Sequence, residues 1–161
     1  MAELRDLVKR KFGASVLDTH ADFGDQTVVI AREGVIEVMR WLKEDPAMGF
    51  DFMMDLTAVD YLGKKPRDLR FEVVYHLYSL KHNHRIRVKA PVGEDDASLD
   101  SIVSLWKAAD WFEREVWDLY GIVFKGHPNL KRILLYEEFV GHPLRKDYNI
   151  RQRQPLIGPE N

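Results

Sequence analysis

Three strand-like runs follow one another between Phe50 and Val92, and they fix what the rest of the chain can do. Phe50 to Leu62 is the first, and Gly63 to Asp68 (GKKPRD) is a turn. Leu69 to Leu80 is the second. In it Phe71, Val73, Tyr75 and Leu77 alternate with Glu72, Val74, His76 and Tyr78, the period of a half-buried antiparallel strand. Lys81 to His84 turns again, and Arg85 to Val92 is the third, with Ile86 and Val88 on one side and Arg85, Arg87 and Lys89 on the other. A sheet with one apolar face must bury that face against other elements.

Helical spacing supplies the cover. Leu4, Leu7 and Val8 share a face, and Gly13 ends that helix. Gln26 to Ala31 (QTVVIA) reads as a short strand. Glu33 to Asp45 is helical, with Val35, Val38, Met39 and Leu42 on one face and Pro46 and Gly49 as the stop. After the acidic connection Gly93 to Asp96, the spacing of Ile102, Leu105, Trp106 and Ala109 predicts a helix over Ala97 to Ala109. Asp110-x-x-Glu113 has the form of a capping box opening a further helix, Trp111 to Tyr120. Gly121 supplies a left-handed stop, and Ile122 to Phe124 adds a short strand. Beyond Gly126 the periodicity fades. Gly141 to Leu156 carries Arg145, Lys146, Arg151 and Arg153 against one acid, Asp147. Too few apolar groups remain there to offset chain ordering without a partner. The expected fold is α+β: an antiparallel sheet covered on one face by helices over residues 1–125, with an extended C-terminal tail over 126–161 that docks on a partner.

Composition narrows the chemistry. The 161 residues carry 24 Lys+Arg against 26 Asp+Glu, a net charge of −2, which gives no electrostatic case for nucleic acid. There is no cysteine, so disulfides, a cysteine nucleophile, thiolate zinc and cysteine-ligated iron–sulfur clusters are excluded from this chain. The start, MAELRDLVKRKFG, is interrupted by charge every two or three residues, unlike a signal peptide. No apolar run reaches bilayer length.

No complete catalytic constellation is visible. His82-x-His84 could offer two imidazoles on one side of a strand, but two ligands do not make a metal site, and exposed residues at a hairpin tip explain them. His127-Pro128 and His142-Pro143 read as extended turns, because proline disfavours helix in the residue before it. Glu113 and Glu115 stand two apart on a helix and point to different sides, so they cannot act on one atom. Arg114 and Asp118, four apart, are placed to form a surface ion pair worth a few tenths of a kcal/mol. Nucleotide-binding glycine loops and a nucleophile elbow are both missing. A free-standing metal-dependent hydrolase using the histidines is the alternative from another class. The balance favours a subunit of an assembly.

The segment Glu113 to Ile133, EREVWDLYGIVFKGHPNLKRI, resembles the signature of the C subunit of the proton-pumping NADH:quinone oxidoreductase, the 30-kilodalton subunit of respiratory complex I. The matching positions are Glu113-Arg114-Glu115, Asp118, Leu119-Tyr120, His127 and Lys131-Arg132-Ile133. GHPLRKDY (Gly141 to Tyr148), FDFMMDLTAVDY and FEVVYHLYSL are also similar to that family. The resemblance implies a peripheral subunit on the cytoplasmic side of the bacterial membrane, touching the membrane only through its complex. It implies no cofactor in this chain, with flavin and iron–sulfur clusters in partner subunits. The quinone-site (D) subunit of complex I would be its main neighbour, with the cluster-bearing B and I subunits nearby and the C-terminal extension over the quinone-site subunit. Candidate contacts are Glu113, Arg114, Glu115, Asp118, His127, Lys131, Arg132, His142, Arg145, Lys146, Asp147 and Tyr148. Related subunits serve membrane-bound hydrogenases and complexes fed by ferredoxin or a deazaflavin, and the signature does not separate these.

Overall fold

A computed structural model describes residues 3–64 and 68–155. Part of the turn predicted over Gly63 to Asp68, and the end of the extension, lie outside the described residues. The elements are α1 (Leu4–Phe12), β1 (Val16–His20), β2 (Thr27–Ile30), α2 (Val35–Glu44), β3 (Phe52–Asp60), β4 (Phe71–Ser79), β5 (His84–Val92), β6 (Ser98–Asp100), α3 (Ala109–Tyr120) and β7 (Val123–Lys125).

Five strands form one sheet in the order β1-β2-β5-β4-β3. The three runs from Phe50 to Val92 make an antiparallel meander, and β1 pairs antiparallel with β2. The β2–β5 pair is parallel, so the sheet is mostly, not wholly, antiparallel. Alternation reports which side a residue faces but carries no sign of strand direction, so it does not reveal the mixed pairing. Nor does it reveal the edge strand β1; VLDTH is short, mostly polar and nowhere fully buried, so it lacks the apolar alternation that marks a strand.

The inner face carries Val28 and Ile30 from β2, Phe71, Val73, Tyr75 and Leu77 from β4, and Ile86, Val88, Ala90 and Val92 from β5, all buried. Leu4 and Val8 of α1, Val35, Val38, Met39 and Leu42 of α2, and Ala109 and Val116 of α3 join the same core. Each large aliphatic or aromatic side chain removed from water there contributes about 1.5–3 kcal/mol. A bulge in β3, where the register shifts between Met53 and Asp55, lets both Met53 and Leu56 face inward and turns Met54 out.

Residues 97–109 correct an expectation. They are not a helix: β6 pairs parallel with β7, and isolated turns follow, with Leu105 and Trp106 amides both donating to the Ile102 carbonyl. Ile102, Leu105, Trp106 and Ala109 are nonetheless buried. Their spacing correctly reports a common buried side, which a series of turns presents as readily as a helix. The capping box is also absent. Asp110 lies inside α3, whose N-cap is Ala108 without a side-chain cap, and Glu113 turns inward. Gly121 ends α3 with φ 75°, the left-handed stop expected of it.

Candidate functional site

The C-terminal segment is wound around the end of α3, and Asp118 is the pin. This carboxylate is fully buried. Its Oδ2 accepts the amides of Ile133 at 3.1 Å and of Leu134 and Leu135 at 2.9 Å. Its Oδ1 accepts Arg132 at 2.6 Å. Burial pushes the Asp118 carboxyl up, but the Leu135 amide, Arg132 and the other two amides outweigh it and hold it below the usual carboxylate range. Arg132 also donates to the Phe139 carbonyl at 2.6 Å and lies 5.8 Å from both the Trp117 and Phe139 rings.

The expected Arg114–Asp118 pair does not form among the described residues. Arg114 instead donates to the carbonyls of Lys131 and Arg132, both at 3.1 Å, while Asp118 is taken by Arg132. Four-residue spacing permits a pair along one helix face, but a buried acid facing three free amides finds a better partner set.

The last carbonyls of α3 are capped from downstream. His142 Nδ1 lies 2.9 Å from the Asp118 carbonyl, the Leu144 amide donates to Leu119 at 3.1 Å, and Arg145 Nε donates to Tyr120 at 2.5 Å. Helix ends leave such carbonyls without intrahelical partners. A Cβ on Gly121 would stand 2.6 Å from both His142 Nε2 and an Arg145 terminal nitrogen, so glycine is required there by contact as well as by φ.

A second anchor joins the segment to the sheet. Arg70 grips Asp60 through two bonds, at 3.1 and 2.9 Å, and reaches Asp147 at 2.7 Å and Glu94. The Lys146 amide donates to Asp60 at 2.8 Å. Burial opposes ionisation of Asp60, yet Arg70 and the Lys146 and Leu62 amides keep its pKa lowered. Asp60 and Arg70 do not stand out in the sequence; the available signal is an acid closing an apolar strand run (LTAVDY) just before a turn.

The predicted contact residues therefore fall into distinct places. Arg114, Asp118, Arg132, His142 and Arg145 converge on α3's C-terminal half, and Lys131 joins them through its carbonyl. Lys146 and Asp147 meet the Asp60–Arg70 anchor. Tyr148 stacks on Phe139 with centroids 6.2 Å apart. His127 accepts the Asn129 amide at 3.0 Å in a local turn, and its buried ring reaches back to the Asp110 carbonyl on the first turn of α3 at 3.1 Å. Glu115 is exposed. Glu113 points away from all of these: it is fully buried, receives the Ile102 amide at 2.7 Å and the Ser101 hydroxyl at 2.6 Å, and burial pushes its carboxyl up to about 7. His82 and His84 each place Nε2 2.8 Å from a carbonyl, of Pro46 and Met48.

Among the described residues no group of three or more His, Cys, Asp or Glu could hold a metal ion, and no helix is long and apolar enough to cross a membrane. The class defined is a small α+β domain whose charged signature residues organise its own C-terminal segment.

Comparison with known proteins makes the assignment particular. Residues 28–154 match the family model described as the 30 Kd subunit of respiratory-chain NADH dehydrogenase. The NADH-quinone oxidoreductase C subunit of Citrifermentans bemidjiense is 49% identical over 153 residues, 95% of this chain and 88% of that protein. The C subunit of the Geobacter sulfurreducens enzyme is 48% identical with the same coverage. The solved trypsin-resistant fragment of Nqo5 is similar at a TM-score of 0.70 and 38% identity, over 79% of this chain and 98% of that one. A chain of an archaeal membrane-bound sulfane sulfur reductase shares the fold, at a TM-score of 0.71 and 22% identity over 91% of this chain and 84% of that one. The chain belongs to the family of the 30 Kd subunit of respiratory-chain NADH dehydrogenase.

Proposed function

We propose that this chain is a non-catalytic subunit of the peripheral arm of a proton-pumping NADH:quinone oxidoreductase, a translocase that carries electrons from NADH through flavin and iron–sulfur clusters in its partners to quinone. Residues 1–125 form the body. Residues 126–161 brace the quinone-site (D) subunit, with the cluster-bearing B and I subunits nearby, on the cytoplasmic side of the membrane.

One observation carries the docking role. The segment is pinned to its own domain from within, yet it exposes apolar and cationic groups outward. Leu134, Val140 and Ile150 are 61%, 66% and 90% exposed. Lys131, Lys146, Arg151 and Arg153 are exposed and have no carboxylate partner among the described residues. Exposed large apolar groups interleaved with unpaired cations suit a partner surface that is apolar with an acidic rim. Asp118, Arg132, His142 and Arg145 give that surface its shape, and Glu115, Lys131, Lys146 and Tyr148 stand at its edge.

The test is affinity purification of the tagged chain from its native membrane, with mass spectrometry of what co-elutes. NADH- and flavin-binding subunits are expected beside the quinone-site subunit. Recovery of a nickel–iron subunit would transfer the same role to a hydrogenase complex, and elution of the chain alone would overturn the assembly role. Quinone reduction by the purified chain with NADH, or a stoichiometric bound metal, would overturn the non-catalytic assignment.

A further inference from the structure

The C-terminal segment closes on itself. Tyr136 and Phe139 pack edge to face with ring centroids 5.5 Å apart, and Phe139 stacks on Tyr148. From the far end Gln154 reaches back. Its Nε2 donates to the Val140 carbonyl at 3.0 Å and to the Tyr148 hydroxyl at 3.1 Å, and its Oε1 accepts the Val140 amide at 3.5 Å. The side-chain amide thus meets both polar groups of Val140, as a paired strand residue would. The Tyr136 hydroxyl donates to the Pro155 carbonyl at 3.2 Å, so residues 136–155 are joined at both ends. Between the ends, Asn149 holds a last turn. Its carbonyl accepts the Gln152 amide at 2.9 Å, and its Oδ1 accepts the Arg151 amide at 3.0 Å, the pattern of an Asx turn. Ile150 stands on that turn and is 90% exposed. The bond from the Lys146 amide to Asp60 fixes the entry to the turn, and Gln154 fixes its exit.

We propose that the segment meets its partner as a preformed loop, in which Gln154 is the positioning residue that holds Ile150 ready to enter an apolar socket of the partner subunit. The segment has too few apolar groups to order itself by burial. Hydrogen bonds and ring stacking within the chain supply the order instead. A segment that took shape only on docking would leave its polar side chains to be satisfied by the partner, whereas Tyr136, Asn149 and Gln154 all find their bonds inside the loop. Ordering the loop beforehand keeps that entropic cost out of the association step. It also presents the exposed isoleucine from a fixed backbone, so docking proceeds with little change of shape.

This inference rests on the assembly reading, and the experiment separates the two. Hydrogen exchange is followed in the full chain, both isolated and within its native complex. In the isolated chain the amides of Val140, Arg151 and Gln152 are expected to exchange about tenfold or more slowly than in the unfolded chain. Gln154→Ala should abolish that protection in the isolated chain and recover it in the complex. Its thermal midpoint should stay unchanged, because the bonds of Gln154 lie within the segment, and the tagged variant should bring down several-fold less of the partner subunits. Ile150→Asp should keep the protection and lose the partners. Free exchange in the isolated wild type, with protection only in the complex, would overturn the preformed loop and leave the assembly reading intact. Wild-type protection in Gln154→Ala would overturn the role of Gln154, and full partner recovery with Ile150→Asp would overturn the anchor. Elution of the wild-type chain alone would overturn the assembly reading itself.

Discussion

Glu113→Gln should stabilise the isolated chain at neutral pH and leave it almost unchanged in mild acid. The Glu113 carboxyl is fully buried, with one amide and one hydroxyl as partners. Burial is the leading cause of its raised pKa, from 4.5 to about 7, and the Asp110 charge adds to it. A shift of that size corresponds to about 3 kcal/mol, at 1.36 kcal/mol per unit. The sign follows from proton linkage. The folded state holds this proton more tightly than the unfolded state, so the stabilisation is fully present below about pH 4.5. It is lost as pH rises through 7. Glutamine keeps an oxygen for the Ile102 amide and offers an NH₂ to the Ser101 hydroxyl, and it cannot ionise. Urea unfolding of both proteins at pH 4.5 and pH 8 isolates the effect. His76 and His142, whose pKa values are lowered chiefly by burial, act in the opposite direction but cancel in the difference. The variant should gain up to about 3 kcal/mol on the wild type between the two pH values. A difference that does not change with pH would refute the reasoning, because it would mean that the carboxylate is ionised inside the fold at no cost.

Four further outcomes follow from the clamp. Asp118→Ala leaves Arg132 and the amides of residues 133–135 without their acceptor and should cost about 3–5 kcal/mol; hydrogen exchange should show those amides losing protection first. Gly121→Ala should cost more than the 1–2 kcal/mol of a left-handed alanine, because its Cβ meets His142 and Arg145, and trypsin should then cut faster at Arg145. Arg114→Ala should lower stability by about 1–3 kcal/mol through the loss of two hydrogen bonds, so chemical denaturation will detect it even without a partner. Arg70→Leu strands buried Asp60 and should cost about 3–5 kcal/mol near neutrality. That cost should shrink in acid, as pH falls from the ordinary carboxylate range down through the lowered folded pKa of Asp60.

The sheet was legible because its meander repeats one signal, alternation, with clear turns between the repeats. The α3 helix and its glycine stop were legible for a similar reason. What escaped was the internal use of charge. Glu113 stands four residues after Ala109 and three before Val116, and both of those are buried. Its place on the apolar stripe was thus readable, and the capping-box pattern drew attention away from it. Asp118 carried no comparable mark, since its partners lie 14 to 17 residues downstream. The C-terminal segment lacks periodicity because its order comes from main-chain bonds to a few buried acids and carbonyls. Such bonds constrain the residues that receive them more than those that donate.

The arrangement at the end of α3 also sets a schedule. The Tyr120 carbonyl finds its cap in Arg145, 25 residues later. At about 5–20 residues per second, a ribosome needs roughly one to five seconds to make that stretch. Throughout that interval the nascent helix has no finished C-terminus. A message truncated after Gly141 would release a chain in which the interval never ends, leaving the last carbonyls of the helix open to water and the Asp60–Arg70 anchor without Lys146 and Asp147. Such a chain would present proteases with an unsecured helix end beside the signature segment.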